Sequence, residues 1–256
     1  MYKQLTRHDI VGLLNVPEDY RVDALLVIGT HPKEKEYPLL HTALDALDTK
    51  YNEEKIEHGF FREIKCFTIN GKRIWFDAVY GAAYLTEVIH VASLLGSKAN
   101  ILLGTCGALK EELNMGDTII PSASYGNESS TRMYQRENDS FLYEANRELS
   151  VKLKQIASHR KMIDEGKLVT VQAMLAETKE DVDLWASQGY SGVDMESATH
   201  FAVSSHFGVS AAALLYVGDN LIKNQLVTDD SYDLLKSKRS AIRQENYEIA
   251  LKALIW

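Results

Sequence analysis

Cysteine is nearly absent from this chain of 256 residues, and its two copies, Cys66 and Cys106, fit neither a disulfide framework nor a zinc-ligand spacing. Both read as reduced thiols, in the simplest case small buried hydrophobes. Only four prolines and 15 glycines occur, which excludes collagenous and low-complexity folds. No apolar run reaches the roughly 18 residues of a membrane span, and none follows the first charges, so a cytoplasmic protein with no membrane contact is expected. Positive charge is in deficit: 28 Lys and Arg against 36 Asp and Glu give a net charge of −8. The basic residues are scattered, and nucleic acid is therefore a poor partner. Among the eight histidines no two are spaced i, i+4, so no helical zinc site is available and no metal is expected.

What the sequence does contain is alternation of apolar strands and amphipathic helices. Asp23 to Gly29, Asn100 to Gly104 and Ser210 to Val217 are branched, apolar runs with the character of buried strands. Arg62 to Ile69 and Arg73 to Val79 read as a hairpin around Asn70-Gly71, since both residues accept the positive φ of a tight turn. Asp117 to Ile120 and Leu168 to Leu175 add two strands. Helical spacing marks Glu34 to Leu47, Tyr84 to Leu95, Ser140 to Ala157, Lys179 to Ser187, Met195 to His206 and Ser231 to Ile255. Helices alternating with strands predict a three-layer α/β/α fold, and the hairpin makes its central sheet mixed. With no repeat or linker, residues 1–256 read as one domain.

Ligands of such sheets bind beyond the carboxyl ends of strands, which directs attention to four segments. Val27 to Lys33 offers Gly29 for close backbone approach and Lys33 for an anion, or is a plain surface turn. Leu103 to Leu109 places Gly104 and Gly107 around Thr105, as an anion-binding loop or as tight packing. Gly192 to Thr199 puts Glu196 at the head of an apolar helix, where it is a functional carboxylate or a partner of the helix N-terminus. Leu214 to Asn220 ends in Gly218, Asp219 and Asn220, with Asp219 an acid or a turn cap.

Together these segments resemble the nucleoside phosphorylase superfamily. The resemblance spans most of the chain, from Leu5-Thr-Arg-His-Asp-Ile10 through Gly29, the Asn70-Gly71 hairpin, Gly104-Thr-Cys-Gly107 and Met115 to Ile120. Its most specific parts are Asp194-Met-Glu-Ser-Ala-Thr199 and Val217-Gly-Asp-Asn220. It implies a homo-oligomer, either a dimer or a hexamer built as a trimer of dimers, in which Arg62 and residues near Tyr2 complete a neighbour's site. It also implies cleavage of the N-glycosidic bond of a nucleoside by phosphorolysis, with phosphate as co-substrate and no cofactor. Within this resemblance Glu196 matches the ribose-binding glutamate and Met195 packs on the sugar. Asp219 matches the acid that serves purine N7. Gln172 and Met174 lie in the base-binding segment, with Met174 where an aromatic is usual, and Thr105 and Gly107 complete the substrate loop.

The phosphate site departs from the family pattern. Family phosphorylases use a Gly-Asp-Pro-x-Arg loop and an arginine before the Gly-Thr/Ser loop; here the loop reads Gly29-Thr-His-Pro-Lys33 and the second position is Leu102. Gly29, Lys33, Arg62 and Thr105 remain as candidates, with His31 a further one. The alternatives are a nucleosidase, in which water replaces phosphate, and a catalytically silent nucleoside-binding member. A purine substrate is favoured, because an acid at Asp219 is useful only where the leaving base has N7. A dinucleotide-binding oxidoreductase is disfavoured by the missing Gly-x-Gly-x-x-Gly.

Overall fold

The computed structural model describes residues 1–59, 61–229 and 236–256, without the side chains of Arg62, Lys236 and Ser237. Strand β1 (Ala24–Gly29) shows why two helical layers are needed. Ala24, Leu26 and Ile28 enter a core beneath α2 (Lys33–Asp45), α5 (Arg147–Ile156) and α8 (Lys236–Ile255). Leu25 and Val27 enter a second core, beneath α1 (Arg7–Leu14), α3 (Ala82–Leu94) and α7 (Ser197–His206). A strand apolar on both faces loses its water on both, so the sheet is the middle of three layers. The remaining α-helices among the described residues are α4 (Ser129–Tyr134) and α6 (Lys179–Ser187); Thr178 and Asp181 start α6 with a reciprocal capping box.

The strands after β1 are β2 (Tyr51–His58), β3 (Arg62–Ile69), β4 (Lys72–Val79), β5 (Ala99–Ala108), β6 (Thr118–Ile119) and β7 (Ala123–Tyr125), then β8 (Leu142–Glu144), β9 (Ile163–Asp164), β10 (Lys167–Thr170), β11 (Gly192–Asp194) and β12 (Ser210–Asn220). Their main path runs β2-β3-β4-β1-β5-β11-β10-β7-β8, while β12 pairs with β5 and β6. Parallel pairs flank β1, the β2-β3-β4 ribbon is antiparallel, and β11 meets β5 antiparallel, so the sheet is mixed. Asn70 (φ 51°) and Gly71 (φ 77°) take the left-handed turn their sequence favours. Both cysteines are free and buried.

Three readings of the sequence need correction. The predicted helix from Ser140 begins instead with β8, which pairs with β7, and turns helical only at Arg147, where the Asn146 side chain caps Leu149 N–H. The predicted strand to Leu175 stops at Thr170, and Met174–Ala176 form a 3₁₀ turn. The predicted helix from Met195 starts at Ser197. The first residues of the predicted C-terminal helix, 231–235, lie outside the described residues.

Two features of the sheet position the site. β12 and β5 pair in parallel from Ser210↔Ala99 to Asn220↔Ala108, with a register shift between Val217 and Asp219. An irregularity of this kind re-aims the side chain beyond it, here Asp219. The short β11 sets Gly192 and Val193 opposite Ala108 and Gly107, which brings Glu196 to the same end of β5.

Candidate active site

Glu196 stands between β11 and α7, 7% exposed. Its side chain does not cap α7. That task falls to Asp194 and Thr170: Asp194 Oδ2 accepts from Ser197 N–H at 2.9 Å and Thr170 Oγ1 accepts from Ala198 N–H at 2.9 Å. Glu196 Oε1 instead accepts from Gly81 N–H at 2.7 Å. Gly81 is at φ 73°, and a Cβ there would stand 3.0 Å from Gln172 Oε1, so glycine satisfies both the backbone conformation and the close approach. Burial, with the Asp194 charge beside it, pushes the Glu196 carboxyl up to about 8. Asp194 is itself raised to about 6 by burial, against hydrogen bonds from Thr170 and Ser197 that hold it down.

Asp219 is half-buried after the shift in β12, and burial lifts its carboxyl to about 6. Gly107 lies beside it, since a Cβ on Gly107 would be 3.3 Å from Asp219 Oδ1. Gly218 backs onto Thr105, with the corresponding distance to Thr105 Cβ 3.5 Å. Glu177, not singled out in the sequence, joins this cluster: burial, then the charges of Asp219 and Asp181, raise it to about 7. The signal for it is three-dimensional, because the 3₁₀ turn at Met174–Ala176 carries it toward Asp219.

The other candidates are placed as follows. Gln172 is a clamp: its Oε1 accepts from Ala82 N–H at 2.8 Å and its Nε2 donates to Met195 O at 2.9 Å, joining the head of α3 to the Glu196 segment. Met195 is half-buried, and Met174 is 41% exposed. Thr105 is exposed at the end of β5. Gly29 backs directly onto Glu196. Lys33 is drawn away to the β3-β4 side, where its ammonium meets the buried Asp77 carboxylate at 2.7 Å and the Glu63 carbonyl. The Tyr84 hydroxyl, 2.6 Å from Asp77 Oδ2, completes that cluster. Leu102 is packed in the core. The Arg62 side chain lies outside the described residues. His31 stacks on Tyr80 at 3.8 Å between centroids, at the carboxyl ends of adjacent strands.

Among the described residues no three acidic, histidine or cysteine side chains converge on a possible metal position, and no helix is long and apolar enough to cross a membrane.

A carboxylate denied to its own helix and a second one beyond a bulge can bind a diol and protonate a leaving group, which is glycosidic chemistry. A purine nucleoside phosphorylase of the DeoD type from Alkaliphilus metalliredigens is 29% identical over 184 residues, covering 70% of this chain and 76% of that one. One from Clostridium beijerinckii is 27% identical over 222 residues, covering 86% and 91%. The solved structure of Helicobacter pylori MTAN superposes with a TM-score of 0.69 at 18% identity, over 91% of this chain and 99% of that one. The family model of the phosphorylase superfamily matches residues 34–254, and the chain belongs to that superfamily.

Proposed function

We propose that this chain cleaves the N-glycosidic bond of a purine nucleoside by phosphorolysis, releasing the free base and ribose 1-phosphate. The observation that carries this reading is the Glu196 carboxylate, buried and held by Gly81 N–H while Asp194 and Thr170 cap its helix. A buried carboxyl excused from structural duty is retained at a cost in stability, which points to substrate. The names of the relatives, purine nucleoside phosphorylases, support the same reaction.

In this reading Glu196, once ionised, accepts hydrogen bonds from the two ribose hydroxyls and steadies the positive charge that develops on the sugar. Protonated Asp219 gives its hydrogen to N7 as negative charge builds on the base. Burial favours the protonated form of Asp219, and once Asp219 ionises its charge helps hold the neighbouring Glu177 in its own protonated form. Phosphate attacks C1′ from the face opposite the base, the C1′–N9 bond breaks, and its electron pair leaves with the purine. No metal or organic cofactor takes part, and the protein acts as a cytoplasmic homo-oligomer, a dimer or a trimer of dimers.

Hydrolysis is the second reading, and one observation favours it: Lys33 is committed to Asp77, while the place of a family arginine is the core residue Leu102. A panel of purine and pyrimidine nucleosides assayed with and without phosphate tests both. Ribose 1-phosphate formed only with phosphate supports phosphorolysis. Free ribose at high phosphate replaces it with hydrolysis, and saturable nucleoside binding without turnover would leave a silent binding protein.

A further inference from the structure

Asn220 ends β12 directly after Asp219, and it is fully buried. Both hydrogens of its side-chain amide and the amide oxygen are engaged. Nδ2 donates to Lys110 O at 2.9 Å and to Leu113 O at 2.8 Å, and Oδ1 accepts from Lys223 N–H at 3.0 Å. The main chain of the same residue exchanges two hydrogen bonds with Gln225, which closes a turn over residues 221–224. One amide therefore ties together the end of β12, the segment after β5 and the turn that follows Asp219. Its partners are anchored in their own right: Lys110 pairs with Asp164 at 2.6 Å, and the Lys223 ammonium donates to Leu113 O at 2.9 Å and to Asn114 Oδ1 at 3.0 Å.

Asp219 lacks such support. Among the described residues the one donor that its carboxyl meets is its own backbone N–H. Its direction is therefore set by the main chain, which the register shift between Val217 and Asp219 takes out of step with β5. The bonds that fix the chain after that shift begin one residue later, at Asn220. The turn they close also seats Leu221: a Cβ on Gly107 would lie 3.1 Å from Leu221 Cδ1 and 3.3 Å from Asp219 Oδ1, so both side chains border the same glycine. The position calls for a short amide. An aspartate would set acceptors against two carbonyls, and a glutamine is one methylene longer than the observed span.

We infer that Asn220 is the positioning residue of Asp219, locking the chain beyond the shift so that the carboxyl points at the leaving base. Its effect on proton delivery rests on the reading of Asp219 as the acid for N7, whereas its coupling to Asp219 stands on the bonds alone.

The test compares an ordinary purine nucleoside with one methylated at N7, which already carries positive charge and needs no proton. In Asn220→Ala, kcat/KM for the ordinary substrate is expected to fall about 10²-fold, mainly in kcat, and for the methylated one by less than about threefold. Lys223→Met, which removes only the ammonium that ties the turn to the segment after β5, is expected to show the same selectivity with a loss of about tenfold, and it decides the matter if Asn220→Ala does not fold. The double variant with Asp219→Asn should be no slower than Asp219→Asn alone. Equal losses on both substrates, or losses that multiply in the double variant, overturn the inference and leave Asn220 a support of the fold. If Asp219→Asn itself does not discriminate between the substrates, the acid reading falls, and losses that do not multiply still assign Asn220 to Asp219. Carboxyl NMR of protein labelled with ¹³C-aspartate gives a readout independent of turnover. The Asp219 resonance, identified by its absence in Asp219→Asn, should titrate at about 6 in the wild type and shift toward the ordinary carboxylate range in Asn220→Ala, as the carboxyl turns to water. Where no nucleoside is turned over, this titration alone decides, and an unmoved Asp219 overturns the inference.

Discussion

Gly29 and Glu196 are in contact across the end of the sheet: a Cβ built on Gly29 would stand 2.8 Å from Glu196 Oε2 and 3.0 Å from its Cδ. The glycine ending β1 therefore makes room for a carboxylate 167 positions further along the chain. Glu196 is buried and tethered to Gly81, so it has little freedom to give way. In Gly29→Ala the carboxylate is pushed aside by several tenths of an ångström or the end of β1 shifts. A misplacement of that kind at a reacting centre is expected to lower kcat/KM by about 10²-fold. Steady-state kinetics with a purine nucleoside, alongside a melting curve showing a folded variant, checks this. Wild-type kinetics in Gly29→Ala would mean that Glu196 does not need its observed position.

Glu196→Gln separates activity from stability. The amide keeps the shape and the Gly81 bond but loses the charge, which should cost about 2–4 kcal/mol in the transition state and fall mainly on kcat. Stability moves the other way. The Glu196 carboxyl is raised to about 8 in the folded chain, above the usual carboxylate range of the unfolded one. Between those values the folded state binds more protons, so stability falls as pH rises, and above about 8 the full penalty is in place. Melting of Glu196→Gln at pH 8–9 is expected to match or exceed wild type, whereas acidifying the wild type from pH 8 to 6 raises its melting temperature. A variant that melts well below wild type would make Glu196 a structural residue.

The pH dependence of catalysis follows from the same two carboxyls. Glu196 must be ionised and is raised to about 8; Asp219 must be protonated and is raised to about 6. Required forms in this order give kcat/KM a bell with limbs near 6 and 8 and a maximum near 7. Only about one molecule in a hundred is then correctly protonated at the optimum. A profile of kcat/KM from pH 5 to 9 checks the assignment, and a flat plateau across that interval contradicts it.

The positions of Glu196 and Asp219 were legible because each follows a short apolar strand with a glycine beside it. Strands β1, β5 and β12 announce themselves through unbroken branched and aliphatic residues. β2 does not, since Tyr51 to His58 is an edge strand on which only Ile56 is buried, and its charges leave no alternation to read. β8 is three residues long and exists through its pairing with β7, so the helical spacing that follows it ran back over it. Gly81 and Glu177 escaped for a different reason. Each acts on a partner far away in sequence, as Gly81 does on Glu196, and no local pattern encodes such a contact. Lys33 shows the converse: adjacency to Gly29 suggested an anion, but the buried Asp77 on β4 claims its ammonium.

Asp219→Asn tests the leaving-group role, and the half-buried setting that raises Asp219 makes the outcome specific. An asparagine fills the same space beside Gly107 and can still donate a hydrogen bond, so the fold and the binding of the base are expected to persist. It cannot deliver a proton, and general-acid assistance is worth about 10²–10⁴-fold. Turnover of inosine-type substrates, whose purine leaves poorly without protonation, should fall by about 10²-fold or more. A nucleoside already methylated at N7 carries its positive charge in the ground state and needs no acid, so its turnover should be nearly unchanged. The bell then has a direct control, because with no proton required from Asp219 the rate for the N7-methylated substrate in the wild type should keep rising through pH 6 to about 8, as Glu196 ionises, and then level off instead of falling. An equal loss on both substrates in Asp219→Asn would assign Asp219 to shaping the loop after β12.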